Sequence, residues 1–224
     1  MKLLIDDANL EKIGKMMEYY PCDGVTTNPS ILAKEGKEPY AQLKAIRSLI
    51  GNDMELHVQV VSLTAEEMVI EAEKITEILG KNTYIKVPSV PEGIKAMKML
   101  KEKGFNITAT AIYTAQQAYL AAKAGADYVA PYINRIDNLG ADGVETAKTI
   151  QNILENNDLP TEILAASFKN SQQVLSLCEY GVGAATAAPD IIEGLLKNPT
   201  VTAAVDAFVA DFEKAFGEGK TMLN

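Results

Sequence analysis

The sequence has no tryptophan, one histidine (His57) and two cysteines, Cys22 and Cys178. One imidazole and two distant thiols fall short of the usual zinc ligand sets, and no metal is expected. Two cysteines do not make a disulfide framework, so a reducing, cytoplasmic setting is the expectation. No run reaches 18 apolar residues, which argues against a membrane-spanning helix. The N-terminal MKLLIDDANL meets acidic residues at position 6, too early for a signal peptide. Positive charge is scarce as well: 21 Lys and Arg stand against 30 Asp and Glu, for a net charge of −9. A chain of that sign repels a phosphate backbone, so nucleic acid is excluded as the first choice of partner. A local basic pocket for one small phosphate is still compatible with it. No GxGxxG follows the first strand-like run, which weakens a dinucleotide-binding reading.

What is there is an ordinary globular composition, 47% hydrophobic and 23% charged over 224 residues, enough for a large core. Short β-rich runs alternate with longer amphipathic ones. The expected strands are Leu3–Asp6, Gly24–Thr27, Glu55–Val61, Thr83–Val87, Ile107–Ala111, Tyr128–Tyr132, Glu162–Ser167 and Gly183–Ala187. Helices are expected over Ala65–Leu79, Glu92–Lys103, Ala115–Ala124 and Gly143–Asn156. Thr64 and Glu67 predict a capping box, and Gly104 and Gly125 stand where helices should stop. The average repeat of about 28 residues suits one strand, one helix and two short loops. Eight such units predict an α/β fold, a (β/α)8 TIM barrel, with an open doubly wound sheet as the rival. With no linker or composition break, residues 1–224 are expected to form one domain. Val201, Val205, Phe208, Val209, Phe212 and Phe216 add a C-terminal helix over 199–217. It covers either its own barrel or a neighbouring subunit.

In such a barrel, chemistry sits at the C-terminal ends of the strands. Those ends carry Asp6, Thr26, Thr27 and Asn28, Gln59, Lys86, Thr110, Tyr132 and Ser167. Side chains alternate along a strand. In YIKVP, Ile85 and Val87 face the helices and Lys86 faces inward; in VAPY, Tyr132 faces inward. By the same reading of ILAAS, Leu164 and Ala166 face out while Ala165 and Ser167 face in. Lys86 is the focus. Burial disfavours the ammonium and leaves a nucleophilic amine able to form a Schiff base with a carbonyl. The alternative is a structural ion pair with Asp6. Tyr132 is suited to proton transfer, directly or through a water held by Gln59 and Thr110. Thr26 is a structural β-branched residue or one that orients Asp6. Asn28, Arg135 and Ser167 mark the sugar-binding side, with Arg135 in the loop after the sixth strand as a phosphate clamp. Its alternative is a surface pair with Asp137 or Asp142. His57 reads as a satisfied interior residue, and the Asp6–Asp7 pair lacks a second acidic cluster to hold magnesium.

These motifs together resemble the small transaldolase family, and within it the fructose-6-phosphate aldolase branch. The resemblance spans nearly the whole chain: GVTTNPS at 24–30, the Gln59 strand, KVP at 86–88, APYINRID at 130–137 and LAASFK at 164–169. Gln59 and Tyr132 are similar to the aldolase members, where transaldolases carry Glu and Phe. IDDAN in the first strand departs from the usual LDT, and Ala8 and Asn9 lean toward the transaldolase side. The resemblance implies a (β/α)8 barrel and class I chemistry with no cofactor, in carbohydrate metabolism of the pentose phosphate type. It assigns the Schiff base to Lys86 and supporting roles to Asp6, Asn28, Gln59, Thr110, Tyr132, Arg135 and Ser167. It implies sugar-phosphate and small hydroxyketone substrates, and a homodecamer of two pentamers. The reaction expected is reversible cleavage of fructose 6-phosphate. Transaldolase transfer to erythrose 4-phosphate is the first alternative, and a non-catalytic sugar-phosphate-binding barrel the second.

Overall fold

Eight short strands, each followed by at least one helix, run through the computed structural model, which describes residues 1–223. In chain order they are β1 (Lys2–Asp6), α1 (Leu10–Tyr19), β2 (Gly24–Thr26), α2 (Pro29–Glu35), α3 (Pro39–Ile50) and β3 (Glu55–Gln59). Then come α4 (Ala65–Leu79), β4 (Thr83–Pro88), α5 (Pro91–Glu102), β5 (Asn106–Ile112), α6 (Ala115–Lys123) and β6 (Tyr128–Pro131). The last are α7 (Ile133–Asp137), α8 (Gly143–Asn156), β7 (Glu162–Ala165), α9 (Ser171–Tyr180), β8 (Ala184–Ala187), α10 (Pro189–Leu196) and α11 (Pro199–Phe216). The strands pair in parallel in sequence order, and β8 closes on β1. The open-sheet rival is thereby eliminated, and the (β/α)8 barrel stands.

Strand alternation builds two separate environments. Ile5, Val25, Leu56, Val58, Ile85, Val87, Ile107 and Val129 point outward into one continuous core with the helices. The inward positions are far more polar than a typical barrel filled by branched aliphatics. A small apolar cluster, Leu4, Tyr128, Leu164 and Ala184 with Tyr84 packed against it, lies there. This cluster corrects the parity expected for β7: Leu164 faces inward, whereas Ala165 belongs to the outer core. The strand ends at Ala165, and Ser167 takes a left-handed backbone, φ +62°. In an all-apolar run such as ILAA, hydrophobicity does not distinguish the two faces, so alternation could not be anchored.

Helix boundaries follow local chemistry. α4 and α8 run where expected, and α4 starts on Thr64, which accepts from the Glu67 N–H. There is no full capping box there: the Thr64 hydroxyl donates to the Glu67 carboxylate at 2.9 Å. The reciprocal box belongs to α6, between Thr114 and Gln117. Gly104 (φ +80°) and Gly125 (φ +93°) follow the ends of α5 and α6 as predicted. Gly93 is required for a different reason. It lies so close to the end of β4 that an added Cβ would sit 1.8 Å from the Pro88 carbonyl oxygen. This glycine lets α5 pack tightly on the strand that carries Lys86.

The chain divides into two compact units, Met1–Ile192 with the barrel and a second beginning at Glu193. The second contains α11, the expected C-terminal helix. None of its residues is buried, and Val201, Val205, Phe208 and Phe216 are among the exposed apolar side chains. No helix among the described residues is long and apolar enough to cross a membrane.

Candidate active site

The GVTTNPS motif explains itself residue by residue. Thr26, inward on β2, hydrogen-bonds Asp6 Oδ1 at 2.8 Å and Thr186 Oγ1 at 2.6 Å. Its single proton goes to the carboxylate, so Thr186 is the donor of the second bond. Thr26 therefore orients Asp6, the less structural of its two expected readings. Thr27 turns the chain across the barrel end: its N–H and its hydroxyl both donate to the His57 carbonyl, at 2.9 and 3.0 Å. The next residue, Asn28, caps α2 by accepting from the Ile31 N–H at 3.0 Å, and Pro29 opens the helix. Asn28 thus has a structural duty for its carbonyl oxygen, and its amide NH2 makes no hydrogen bond within the described residues.

This arrangement leaves the Thr27 carbonyl pointing at Lys86. The Lys86 Nζ donates to it at 2.8 Å. Lys86 is 5% exposed, sits inward near the end of β4, and is level with Gln59 on β3 and Thr108 on β5. No carboxylate lies within ion-pair distance of it among the described residues, which overturns the structural ion pair with Asp6. Burial holds the ammonium form down and lowers its pKa, with the Asp6 charge only partly offsetting this. Burial likewise pushes the Asp6 carboxyl up, against the pull of Lys86 and Thr26. The pair is thereby biased toward a neutral amine beside a carboxyl that can hold a proton.

Thr110 and Tyr132 meet directly, rather than through a water, their hydroxyls 2.8 Å apart. Gln59 is level with Lys86 and half-buried, and its amide makes no hydrogen bond within the described residues. Arg135 is not on a loop: it lies on the one-turn helix α7. It pairs with neither expected carboxylate. Asp137 accepts from Gly143 N–H and Gln173, and Asp142 caps α8. Instead the guanidinium lies 4.6 Å over the Tyr132 ring and reaches the Tyr113 hydroxyl at 3.5 Å. That contact leads the effects that raise its pKa. Ser167 sits beside α7, its carbonyl accepting from the Asn134 N–H at 2.9 Å. So Asp6, Thr26, Gln59, Lys86, Thr110, Tyr132 and Arg135 all lie at the C-terminal ends of the strands or just beyond. Tyr113 is a site residue that the strand-end reading leaves out, and Thr27 is one that it includes for its side chain rather than its carbonyl. An aromatic directly after ATAI on β5 was the signal for the first; the role of the second is played by its backbone, which side-chain identity does not report.

His57 is the satisfied interior residue expected. Its Nδ1 lies 2.9 Å from Thr108 Oγ1 and its Nε2 3.3 Å from Glu55 Oε2. Burial lowers its pKa to about 4, so the ring is neutral. Its Nε2–H then donates to Glu55, and Nδ1 accepts from Thr108. Among the described residues, no three His, Cys, Asp or Glu side chains gather to hold a metal ion.

Known proteins resemble this chain along its length. The profile of the family described as Transaldolase/Fructose-6-phosphate aldolase matches residues 3–222. A probable fructose-6-phosphate aldolase of Streptococcus pneumoniae is 42% identical over 95% of this chain and 96% of its own. A probable transaldolase of Exiguobacterium sibiricum is 39% identical over 96% and 99%. One from Thermodesulfovibrio yellowstonii is also 39% identical, over the same shares. Among solved structures, a mutant flavocytochrome b2 with pyruvate bound superposes with a TM-score of 0.62 at 11% identity. It matches 86% of this chain, which spans 57% of that one. A mandelate racemase/muconate lactonizing enzyme-like protein of Rubrobacter xylanophilus gives 0.61 at 14%, over 84% and 57%. At those identities the likeness is one of fold alone.

Proposed function

The chain belongs to the transaldolase/fructose-6-phosphate aldolase family, and from that premise we propose that it is a Schiff-base aldolase reversibly cleaving fructose 6-phosphate to dihydroxyacetone and glyceraldehyde 3-phosphate. Membership makes it an enzyme of aldolase or transaldolase type, which sets aside the non-catalytic barrel. The observation that carries the reading is Lys86: a buried amine, without an ion-paired carboxylate among the described residues, held on one backbone carbonyl.

Lys86 Nζ adds to the C2 ketone, and loss of water gives an iminium. Asp6, with its carboxyl pushed toward the protonated form, supplies the proton that the leaving hydroxyl needs. The C4 hydroxyl proton passes to the Tyr132–Thr110 pair through a water that Gln59 helps to hold. The C3–C4 electron pair moves into the iminium and leaves an enamine, and glyceraldehyde 3-phosphate departs. Arg135 and Ser167 bind its phosphate. The enamine is then protonated at carbon, and water hydrolyses the new iminium to free dihydroxyacetone and Lys86. Asn28 orients the donor hydroxyls with its amide.

Gln59 and Tyr132 support the aldolase over the transferase. A neutral amide and a phenol provide a route for protonating the enamine, whereas a transaldolase must hold it until an aldose phosphate arrives. The names of the 39% identical relatives favour that second reading, in which a dihydroxyacetone unit is transferred to erythrose 4-phosphate. The two readings separate by about 1.4 kcal/mol of barrier for each tenfold in product ratio. The test is glyceraldehyde 3-phosphate formation from fructose 6-phosphate, with and without erythrose 4-phosphate. Release without acceptor, at a rate the acceptor hardly changes, is the expected result. Release only with acceptor makes the enzyme a transaldolase. The fully unburied α11 supports, in the same spirit, a homo-oligomer in which it engages a neighbouring copy; a monomer mass by light scattering would overturn that.

A further inference from the structure

The end of β5 carries a fault in its register. Pairing with β6 shifts between Ala109 and Ile112, and Ala111 adopts a left-handed backbone, φ +57°. A bulge of this kind re-aims the residues after it. Here Ile112 joins the outer core, and Tyr113 comes to the catalytic mouth. Its backbone is pinned there, because the Tyr113 N–H donates to Gln117 Oε1 at 2.8 Å and Gln117 is locked in the α6 capping box.

Three side chains, from the β5–α6 loop, the N-cap of α7 and α7 itself, then close on one another. The Tyr113 ring meets Tyr132 edge-on, with centroids 5.6 Å apart. The Arg135 guanidinium lies over the Tyr132 face and donates through Nη1 to the Tyr113 hydroxyl at 3.5 Å. Arg135 joins no ion pair among the described residues. A guanidinium has five N–H donors, so most are free for an oxyanion. The Tyr113 hydroxyl, accepting from Arg135, keeps its own proton for another acceptor.

We propose that Tyr113 is a positioning residue that sets the Arg135 guanidinium for the substrate phosphate and so makes the enzyme prefer phosphorylated over unphosphorylated aldehydes. This rests on the aldolase reading above. Tyr113 acts on where the phosphate is held and takes no part in breaking the carbon–carbon bond. Its hydroxyl fixes one edge of the guanidinium, while the bulge and Gln117 keep the hydroxyl from following the arginine away.

The experiment compares addition of dihydroxyacetone to glyceraldehyde 3-phosphate and to glyceraldehyde in the wild type, Tyr113→Phe and Arg135→Gln. Tyr113→Phe keeps the ring and its edge contact and removes only the oxygen. The expected result is a rise in the ratio of KM for the phosphorylated to the unphosphorylated acceptor of about five- to tenfold, the size of one ordinary net hydrogen bond, as suits a contact as long as 3.5 Å. Arg135→Gln should raise the same ratio further. An unchanged ratio in Tyr113→Phe overturns the proposal, as does a KM rise shared equally by both acceptors. An unchanged ratio in Arg135→Gln removes the anion site itself, and the proposal with it. If the wild type makes no product with either acceptor, the aldolase reading has failed. Calorimetric titration with inorganic phosphate then decides the point separately: weaker binding in Tyr113→Phe supports the positioning role, and equal binding ends it.

Discussion

Lys2 and Lys86 stand at opposite ends of one barrel interior, and their surroundings could hardly differ more. Lys2, at the N-terminal floor, donates to Glu55 at 2.5 Å and to Tyr128 at 2.8 Å. Burial works against its charge, but these two partners win and raise its pKa. Glu55 is also bound to His57, His57 to Thr108, and the rings of His57, Tyr84 and Tyr128 pack together, with His57 and Tyr84 stacked at 4.6 Å. Lys2, Glu55, His57, Thr108 and Tyr128 each answer another polar group of the floor. At the mouth, Lys86 has a single carbonyl and a lowered pKa, Arg135 one long hydrogen bond, and Gln59 none within the described residues. Both ends are rich in inward polar residues. Function is marked by hydrogen-bonding capacity left unspent, not by polarity itself.

The sharpest way to break this comparison is to remove each lysine in turn. Lys86→Met should lower turnover by at least about 10⁴-fold, as loss of a covalent nucleophile does. It should also abolish the adduct trapped by borohydride with dihydroxyacetone, as read by intact mass. Its thermal stability should change by no more than about 1–2 kcal/mol, because removing the costly buried amine offsets the loss of the Thr27 carbonyl's donor. A trapped adduct persisting in Lys86→Met would take the nucleophile's role from Lys86. Next in size comes Tyr132→Phe, expected to slow cleavage by about 10³-fold through loss of general acid–base help. Single-turnover trapping should still show the iminium. Cleavage at the full rate would put the proton transfer elsewhere.

Much of this can be read from residues alone, and what cannot has distinct physical causes. Lys86 is placed correctly because Ile85 and Val87 on either side pin its parity, and Tyr132 because Val129 sets the phase of the run that leads to it. β7 was inverted because ILAA has no polar residue to set its phase, and only the cluster of Leu4, Tyr128, Leu164 and Ala184 shows which way it faces. Arg135 was placed after β6, but α7 is a five-residue helix, too short for periodicity to reveal. Tyr113 stayed hidden because its position depends on a bulge at Ala111, and alanine carries no warning of a left-handed backbone. The Thr27 carbonyl that holds Lys86 is invisible for a simpler reason: every residue has one.

The floor makes a prediction of its own through His57. Its pKa is lowered to about 4 by burial, against 6.5 for the free side chain. The unfolded chain therefore takes up this proton first as pH falls. Stability should be fully present above about pH 6.5 and decline toward pH 4, by about 3 kcal/mol for this group. The raised Asp6 carboxyl acts in the opposite sense in part of that range, so the comparison must be made between variants. His57→Phe should flatten the decline of the urea midpoint between pH 7 and pH 4.5 relative to the wild type. An unchanged slope would mean that His57 is protonated in the folded floor, and the tautomer assigned to it is wrong.

The smallest effect belongs to Lys2→Met, and it tests the comparison most directly. The Lys2 side chain is 44% exposed, so water screens its pairing with Glu55 and replaces part of what is lost. Glu55 keeps the His57 N–H and the Tyr128 hydroxyl, which lies 3.3 Å away. The expected cost is therefore about 1 kcal/mol, measurable as a lower urea midpoint. Turnover should stay within about twofold of wild type, because an interaction made equally in ground and transition states leaves kcat alone. A large fall in kcat with little loss of stability would mean that the floor network tunes the mouth through Thr108, the neighbour of Lys86 in register. The two ends would then be one electrostatic system, and the unspent capacity at the mouth would depend on the saturation of the floor.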